Sequence, residues 1–246
     1  MPFFDRKLTP SFIVAQALAA LLTFVVIKGG SEFRNLEDAM AFYGVFHRVP
    51  MNQLIHFFGV PGIIWSNMIM FAHLPLPVIG SYAIAIPGIP SHPISWATVG
   101  CLYYFIFYIY IDPYGGALFS PFVYGMYLTA SNWTREDQEK QMKKTSSKQV
   151  SWVGTGRTLK LAAAIHVFCW YIQIHSHAVI EGAKPAILTS VGQALTSAPL
   201  FAFYEGLWFV GINTDLKTRT VDLVADYTAK LCAEGSTMRA CASVVG

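Results

Sequence analysis

Charge is what this chain has least of. Only 13% of its 246 residues are Asp, Glu, Lys or Arg, where a soluble domain carries about 25%. The net charge of +3 gives no electrostatic footprint for nucleic acid. Cysteine is sparse too: Cys101, Cys169, Cys232 and Cys241 form no CxxC pair, which speaks against a disulfide scaffold and against cysteine-based zinc or redox chemistry. The zinc-protease HExxH, the HxxHH pattern of di-iron membrane desaturases, GxGxxG, the P-loop and GxSxG are all missing. Disorder is excluded by a hydrophobic share of 54%, because so much apolar surface must be buried.

What is present is a series of long apolar runs. Between Val49 and Thr134 the one charged side chain is Asp112. A bilayer core takes about 20 apolar residues per pass, so this gap has room for several. Ser11–Ile27, Leu54–Leu74, Ile94–Ile111, Leu159–Ile180 and Ala186–Ile212 read as membrane segments. The first reads as a retained span rather than a signal peptide, since no small-x-small cleavage site follows it. Pro75–Pro93 is apolar but broken by Pro77, Pro87, Pro90 and Pro93, which suggests a re-entrant or luminal hairpin. Asp112-Pro113-Tyr114-Gly115-Gly116 reads as a turn, with Ala117–Ala130 as a short return segment. Asn132–Arg157 reads as a polar loop whose Lys/Arg excess places it in the cytoplasm. The expected fold is an all-α, polytopic transmembrane helix bundle of about 4–6 membrane segments with a possible re-entrant segment. The polar tail from Asn213 reads as a surface helix.

Seven histidines lie in this oily chain. Each is expensive in a membrane and therefore a site hypothesis. His73 and His92 sit beside prolines near run ends, where an interfacial role suffices. The rest form two clusters. In the first, Tyr43 and His47 share a helical face, as do Asn52 and His56. His47 and His56 would oppose each other on one straight helix, but Pro50 between them suits the first turn of a new one. A break there turns both imidazoles toward one pocket. In the second, His166, Trp170, Gln173, His177 and Glu181 form one helical stripe. His175 points away from His177 on an ideal helix, so His177 is the preferred ligand and His175 and His166 are secondary ones. Imidazoles with open positions suit a redox or Lewis-acid metal. The same residues also admit a transporter or channel with a histidine–carboxylate proton relay, although no repeat supports that reading.

The two clusters carry a resemblance. The pattern Tyr43, His47, Asn52, His56, Gly59, Pro61, followed by Trp170, Gln173, His177, Glu181, Gly182, Pro185, Ala186 and then Ala198-Pro199-Leu200-Phe201, resembles a family of membrane Fe(II)-dependent 2-hydroxy fatty acid dioxygenases. Ser176 stands where the family has glycine. The resemblance divides the chain into an N-terminal extension (residues 1–35), a catalytic bundle (36–212) containing the 132–157 loop, and a C-terminal tail (213–246). It implies a multi-pass enzyme of the endoplasmic reticulum membrane, tied to phytosphingosine breakdown. Its substrates would be a 2-hydroxy fatty acid and O2. His47, His56 and His177 would then bind Fe(II). Asp112 would be a fourth ligand or a base, Gln173 and Glu181 would orient His177 or hold the headgroup, and Tyr43 and Asn52 would do the same around His47 and His56.

Overall fold

The computed structural model describes residues 9–77, 79–81, 83–86, 89–145, 156–235 and 241. Among the described residues the regular structure is helical apart from one short hairpin. Its elements are α1 (Pro10–Ser31), α2 (Leu36–Gly44), α3 (Pro50–Ala72), strands β1 (Ala83–Ile86) and β2 (Ile89–Pro93), α4 (Trp96–Ile111), α5 (Pro113–Thr145), α6 (Arg157–Ser176), α7 (Val191–Phe209) and α8 (Thr214–Ala233). Of these, α1 and α3 are long and apolar enough to cross a membrane, and α4 is apolar but shorter. On α1, Ile13, Val14, Leu18, Leu21 and Phe24 are all more than half exposed, an arrangement that water does not favour.

Within Pro75–Pro93, in place of the re-entrant or luminal segment expected of an all-α fold, β1 pairs antiparallel with β2, Ala83 opposite Pro93 and Ile86 opposite Ile89. The expected turn Asp112–Gly116 shrinks to one residue: only Asp112 lies between α4 and α5, and the Gly116 N–H already donates to the Asp112 carbonyl (2.8 Å) in helical fashion. Pro113 opens α5 directly, as proline does at a first helical position. A Cβ at Gly116 would lie 2.3 Å from the Tyr108 carbonyl oxygen, so only glycine permits this approach. The return segment does not stop at Ala130. One helix runs on through Thr145, and the first part of the expected polar loop is therefore helical. The physical reason is local: no Gly or Pro follows Gly125 before Thr145, and Arg135–Glu139 (2.6 Å) and Glu136–Lys140 (3.8 Å) are i,i+4 ion pairs. Residues 146–155 of that loop lie outside the described residues.

The chain forms two compact units. The first comprises Met1–Phe24, Gly62–Ile106 and Ala117–Val167. Phe12, Ala19 and Leu74 are buried together there, with Phe71 and Trp96 against them. Several of its polar groups are paired. Gln16 donates to the Pro75 carbonyl (2.8 Å) and accepts from the Trp96 indole (2.6 Å), and the Trp65 indole donates to Thr129 (2.9 Å).

The second unit comprises Val25–Pro61, Phe107–Gly116 and Phe168–Gly246. Asn35 caps α2 by accepting the Asp38 N–H (2.8 Å), and Asp38 in return accepts the Arg34 N–H (3.2 Å). Phe33, Phe42, Val45 and Phe46 form the core there, with Val224, Tyr227 and Leu231 of α8 against them. The tail is thus a docked helix: the Tyr227 hydroxyl donates to Asp38 (2.5 Å), Arg219 pairs with Glu37 (3.4 Å), and Cys232 is disulfide-bonded to Cys241. Burial and the Asp38 carboxylate push the Tyr227 hydroxyl up to about 12. Gly29 and Gly192 let α1 and α7 touch backbone to backbone; a Cβ on Gly29 would lie 2.1 Å from the Gly192 carbonyl carbon.

Candidate metal centre

The centre is built where α2 ends and α3 begins. Val45 closes α2, and α3 starts at Pro50, which needs no N–H partner. The break between them turns His47 inward from one side, and His56 follows on the same inward side of α3. His177 arrives from the other direction. At the end of α6 the chain widens into a π-turn over His177–Glu181, closed by the Gly182 N–H donating to the His177 carbonyl (2.9 Å) with Gly182 at φ 66°. Such turns displace side chains from the α-helical register and concentrate at functional sites. This one turns both His177 and Glu181 inward, where they are buried.

The three rings meet at right angles. Centroids are 4.3 Å apart for His47–His56 and 4.8 Å for each of the pairs with His177. One nitrogen from each falls within 4.8 Å of the others, and all three residues are buried. The tautomers are set by neighbours. His47 Nδ1 lies 2.8 Å from the Tyr43 carbonyl and His56 Nδ1 2.9 Å from the Asn52 carbonyl. Each Nδ1 carries the proton to its carbonyl, so each Nε2 lone pair faces the centre. Among the described residues, His47 Nε2 and His177 Nδ1 are buried with no hydrogen-bond partner. Burial pushes the His47 imidazole well below its usual range, and His56 and His177 push it further. Three converging imidazoles, two of them with an orphaned nitrogen, fit a transition-metal ion.

Around this centre a clasp holds the α2–α3 turn. Glu181 accepts the Arg48 N–H (2.9 Å), the Val49 N–H (3.1 Å) and the Asn52 side-chain amide (3.0 Å). It therefore places an anion at the α3 N-terminus, where the helix dipole favours one. Asn52 in turn accepts the Ser176 hydroxyl (2.6 Å), so the family's glycine position carries a polar tie here. Tyr43 stacks on His47 with centroids 3.7 Å apart and planes within 5°. Gln173 packs on Gly59, where a Cβ would lie 2.8 Å from its Nε2. Both the Tyr43 hydroxyl and Gln173 Nε2 are buried without a hydrogen-bond partner among the described residues.

The chain belongs to the Mpo1-like family. The family's profile, described as 2-hydroxy-palmitic acid dioxygenase Mpo1-like, matches residues 33–207. A relative from Saccharomyces cerevisiae, the 2-hydroxy-palmitic acid dioxygenase MPO1, is 24% identical over 188 residues, covering 76% of this chain and 88% of that protein. No solved structure matches the chain.

Not every sequence-derived candidate of this Mpo1-like chain joins the cluster. Among the described residues the grouped donors are His47, His56 and His177, without Asp112, His166 or His175. Asp112 accepts a hydrogen bond from the Tyr204 hydroxyl. His166 Nδ1 pairs with Ser66 Oγ (3.0 Å), and His175 is exposed, stacked on Tyr171. One residue escaped the sequence reading: Glu205 of α7, whose two carboxyl oxygens are buried without a hydrogen-bond partner among the described residues. It is the only charge between Ala186 and Ile212. The isolation that drew attention to Asp112 was available to find it.

Proposed function

We propose that this chain is a multi-pass membrane dioxygenase that shortens 2-hydroxy fatty acids by one carbon, with Fe(II) held by His47, His56 and His177. The convergence of three buried imidazoles in a chain of this family carries the reading. The reaction is R–CH(OH)–COOH + O2 → R–COOH + CO2 + H2O. The substrate supplies all four electrons that O2 accepts, so neither 2-oxoglutarate nor NADPH is required, in keeping with a chain without nucleotide motifs. Bound iron would supply the redox and Lewis-acid chemistry that lets O2 react with a 2-hydroxy acid.

The chain's own residues prepare the site. The Tyr43 and Asn52 carbonyls hold the His47 and His56 rings in one tautomer, and the Glu181 clasp fixes the turn between them. Gln173 Nε2 offers a free donor for a substrate carboxylate. Apolar walls suit the acyl chain, each buried CH2 contributing about 0.8 kcal/mol. The apolar runs are read as 4–6 membrane segments of an endoplasmic-reticulum protein, so that a lipid substrate and O2 both reach the centre from the bilayer.

The test is incubation of purified protein with Fe(II), O2 and 2-hydroxypalmitate. Pentadecanoate and CO2 in equal amounts, with one O2 consumed for each, are expected. Stoichiometric metal binding that survives loss of all three histidines, or an absence of pentadecanoate from iron-loaded protein, would sink the reading.

A further inference from the structure

The unit that carries the histidines buries two carboxylates and treats them oppositely. Glu181 accepts three hydrogen bonds, whereas Glu205 accepts none among the described residues. Glu205 lies one turn beyond Phe201 on the same face of α7, and Phe201 packs on the rings of Tyr43 (4.3 Å) and His47 (6.0 Å). The next residue, Gly206, lies against Phe57, the neighbour of His56; a Cβ there would be 2.7 Å from the Phe57 ring. A carboxylate without a donor is costly to bury, and a native structure that keeps one needs a reason. A ligand that brings the missing donor is such a reason.

Building on the dioxygenase reading, we propose that Glu205 is a specificity-determining residue that accepts a hydrogen bond from the substrate's 2-hydroxyl. Gln173 Nε2, the unpartnered donor, takes the carboxylate of the same headgroup. The pair matches a 2-hydroxy acid, whereas a plain fatty acid leaves Glu205 unsatisfied. A site with a buried acceptor of this kind discriminates strongly against the ligand that lacks the hydroxyl.

The test is displacement of labelled 2-hydroxypalmitate from the purified full chain in detergent by unlabelled 2-hydroxypalmitate or palmitate, for wild type, Glu205→Met and Glu205→Gln, alongside melting temperature, metal content and turnover. Wild type is expected to prefer the hydroxy acid at least about 10-fold. Glu205→Met is expected to bring the two ligands within about 2-fold while metal content is unchanged and the melting temperature holds or rises, because an unpaired buried carboxylate has been removed. A merely structural Glu205 would do the reverse, lowering the melting temperature and leaving the preference. Retained preference in Glu205→Met, no preference in wild type, or failure of both variants to fold overturns the proposal. Wild type that discriminates but makes no pentadecanoate overturns the dioxygenase reading and leaves the Glu205 assignment standing.

Discussion

Two histidines on one helical stripe have opposite fates. His166 is half-buried and pairs with Ser66 at 3.0 Å. His177, on the same stripe, is buried with an orphaned nitrogen and faces two other imidazoles. Periodicity places both on one face, but it does not say whether the far side of that face holds a hydroxyl or a gap. The lesson is that a candidate ligand histidine is marked by the other imidazoles that converge on it; an orphaned nitrogen alone does not mark one, since His73 Nε2 is buried without a hydrogen-bond partner as well among the described residues. The sharpest way to break the comparison is to remove each in turn. His177→Ala or His56→Ala should abolish stoichiometric metal and lower turnover by more than about 100-fold, beyond what losing a supporting residue causes. His166→Ala should leave metal content intact. Elemental analysis of the three purified variants decides it, and metal loss in His166→Ala would erase the distinction.

The clasp should show the next largest effect. Glu181→Gln puts an amide N–H toward donors that now share a carboxylate. Disrupting hydrogen bonds to a charged, buried acceptor costs about 3 kcal/mol, or roughly 6–12 °C in melting temperature for a chain of this size. Metal affinity should fall about 10–100-fold as the α2–α3 turn loosens. Calorimetry with a metal titration measures both. The contrast with Glu205→Met, which should not lower the melting temperature, separates a carboxylate that holds the fold from one that awaits a ligand.

The site was legible in the sequence where local rules suffice. Pro50 marked the break between His47 and His56, and the stripe through Gln173, His177 and Glu181 was read as one face. The π-turn was not legible, because i→i+5 bonding leaves no mark in side-chain spacing; only Gly182, with its positive φ, hinted at where the helix stops. Continuation of α5 through Thr145 was obscured by its composition, since charge-rich stretches read equally as loops or solvated helices. Asp112 stood out as a lone charge, yet whether it would meet a metal or the Tyr204 hydroxyl depends on α7, far along the chain. Glu205 shows the cost of applying the lone-charge argument to one apolar run and not to the next.

Glycines sharpen the same contrast at smaller scale. A Cβ at Gly59 would press on Gln173 at 2.8 Å, while Gly100 and Gly125 have nothing within 4 Å. Gly59→Ala should displace Gln173 from its seat beside α3 and raise the KM for 2-hydroxypalmitate about 10-fold, with kcat less affected, if Gln173 holds the carboxylate. Gly100→Ala and Gly125→Ala should be neutral or stabilise their helices by about 0.5–1 kcal/mol. Steady-state kinetics of the three variants, with matched melting curves, tests whether Gly59 answers to the site rather than to its helix.

The smallest effect belongs to a polar contact in the first unit that is fully partnered. Asp137 of α5 accepts the Thr158 hydroxyl (2.7 Å) and backbone N–H (3.1 Å), and so caps the start of α6 from outside. Gly156 leaves room for it, since a Cβ there would lie against Asp137 Oδ2. Burial pushes this carboxyl up, but the Thr158 and Arg157 donors outweigh that, and it rests below the usual range. A carboxyl lowered by folding contributes fully above the unfolded value of about 3.9 and loses its contribution as pH falls through the lower, folded value. Asp137→Ala should therefore cost about 1 kcal/mol at neutral pH, and its gap from wild type should hold down to about pH 5 and shrink below about pH 4. Metal content should not change at all. A pH series of melting curves with parallel metal analysis decides whether this cap, like the Ser66–His166 pair, serves the fold without touching the centre.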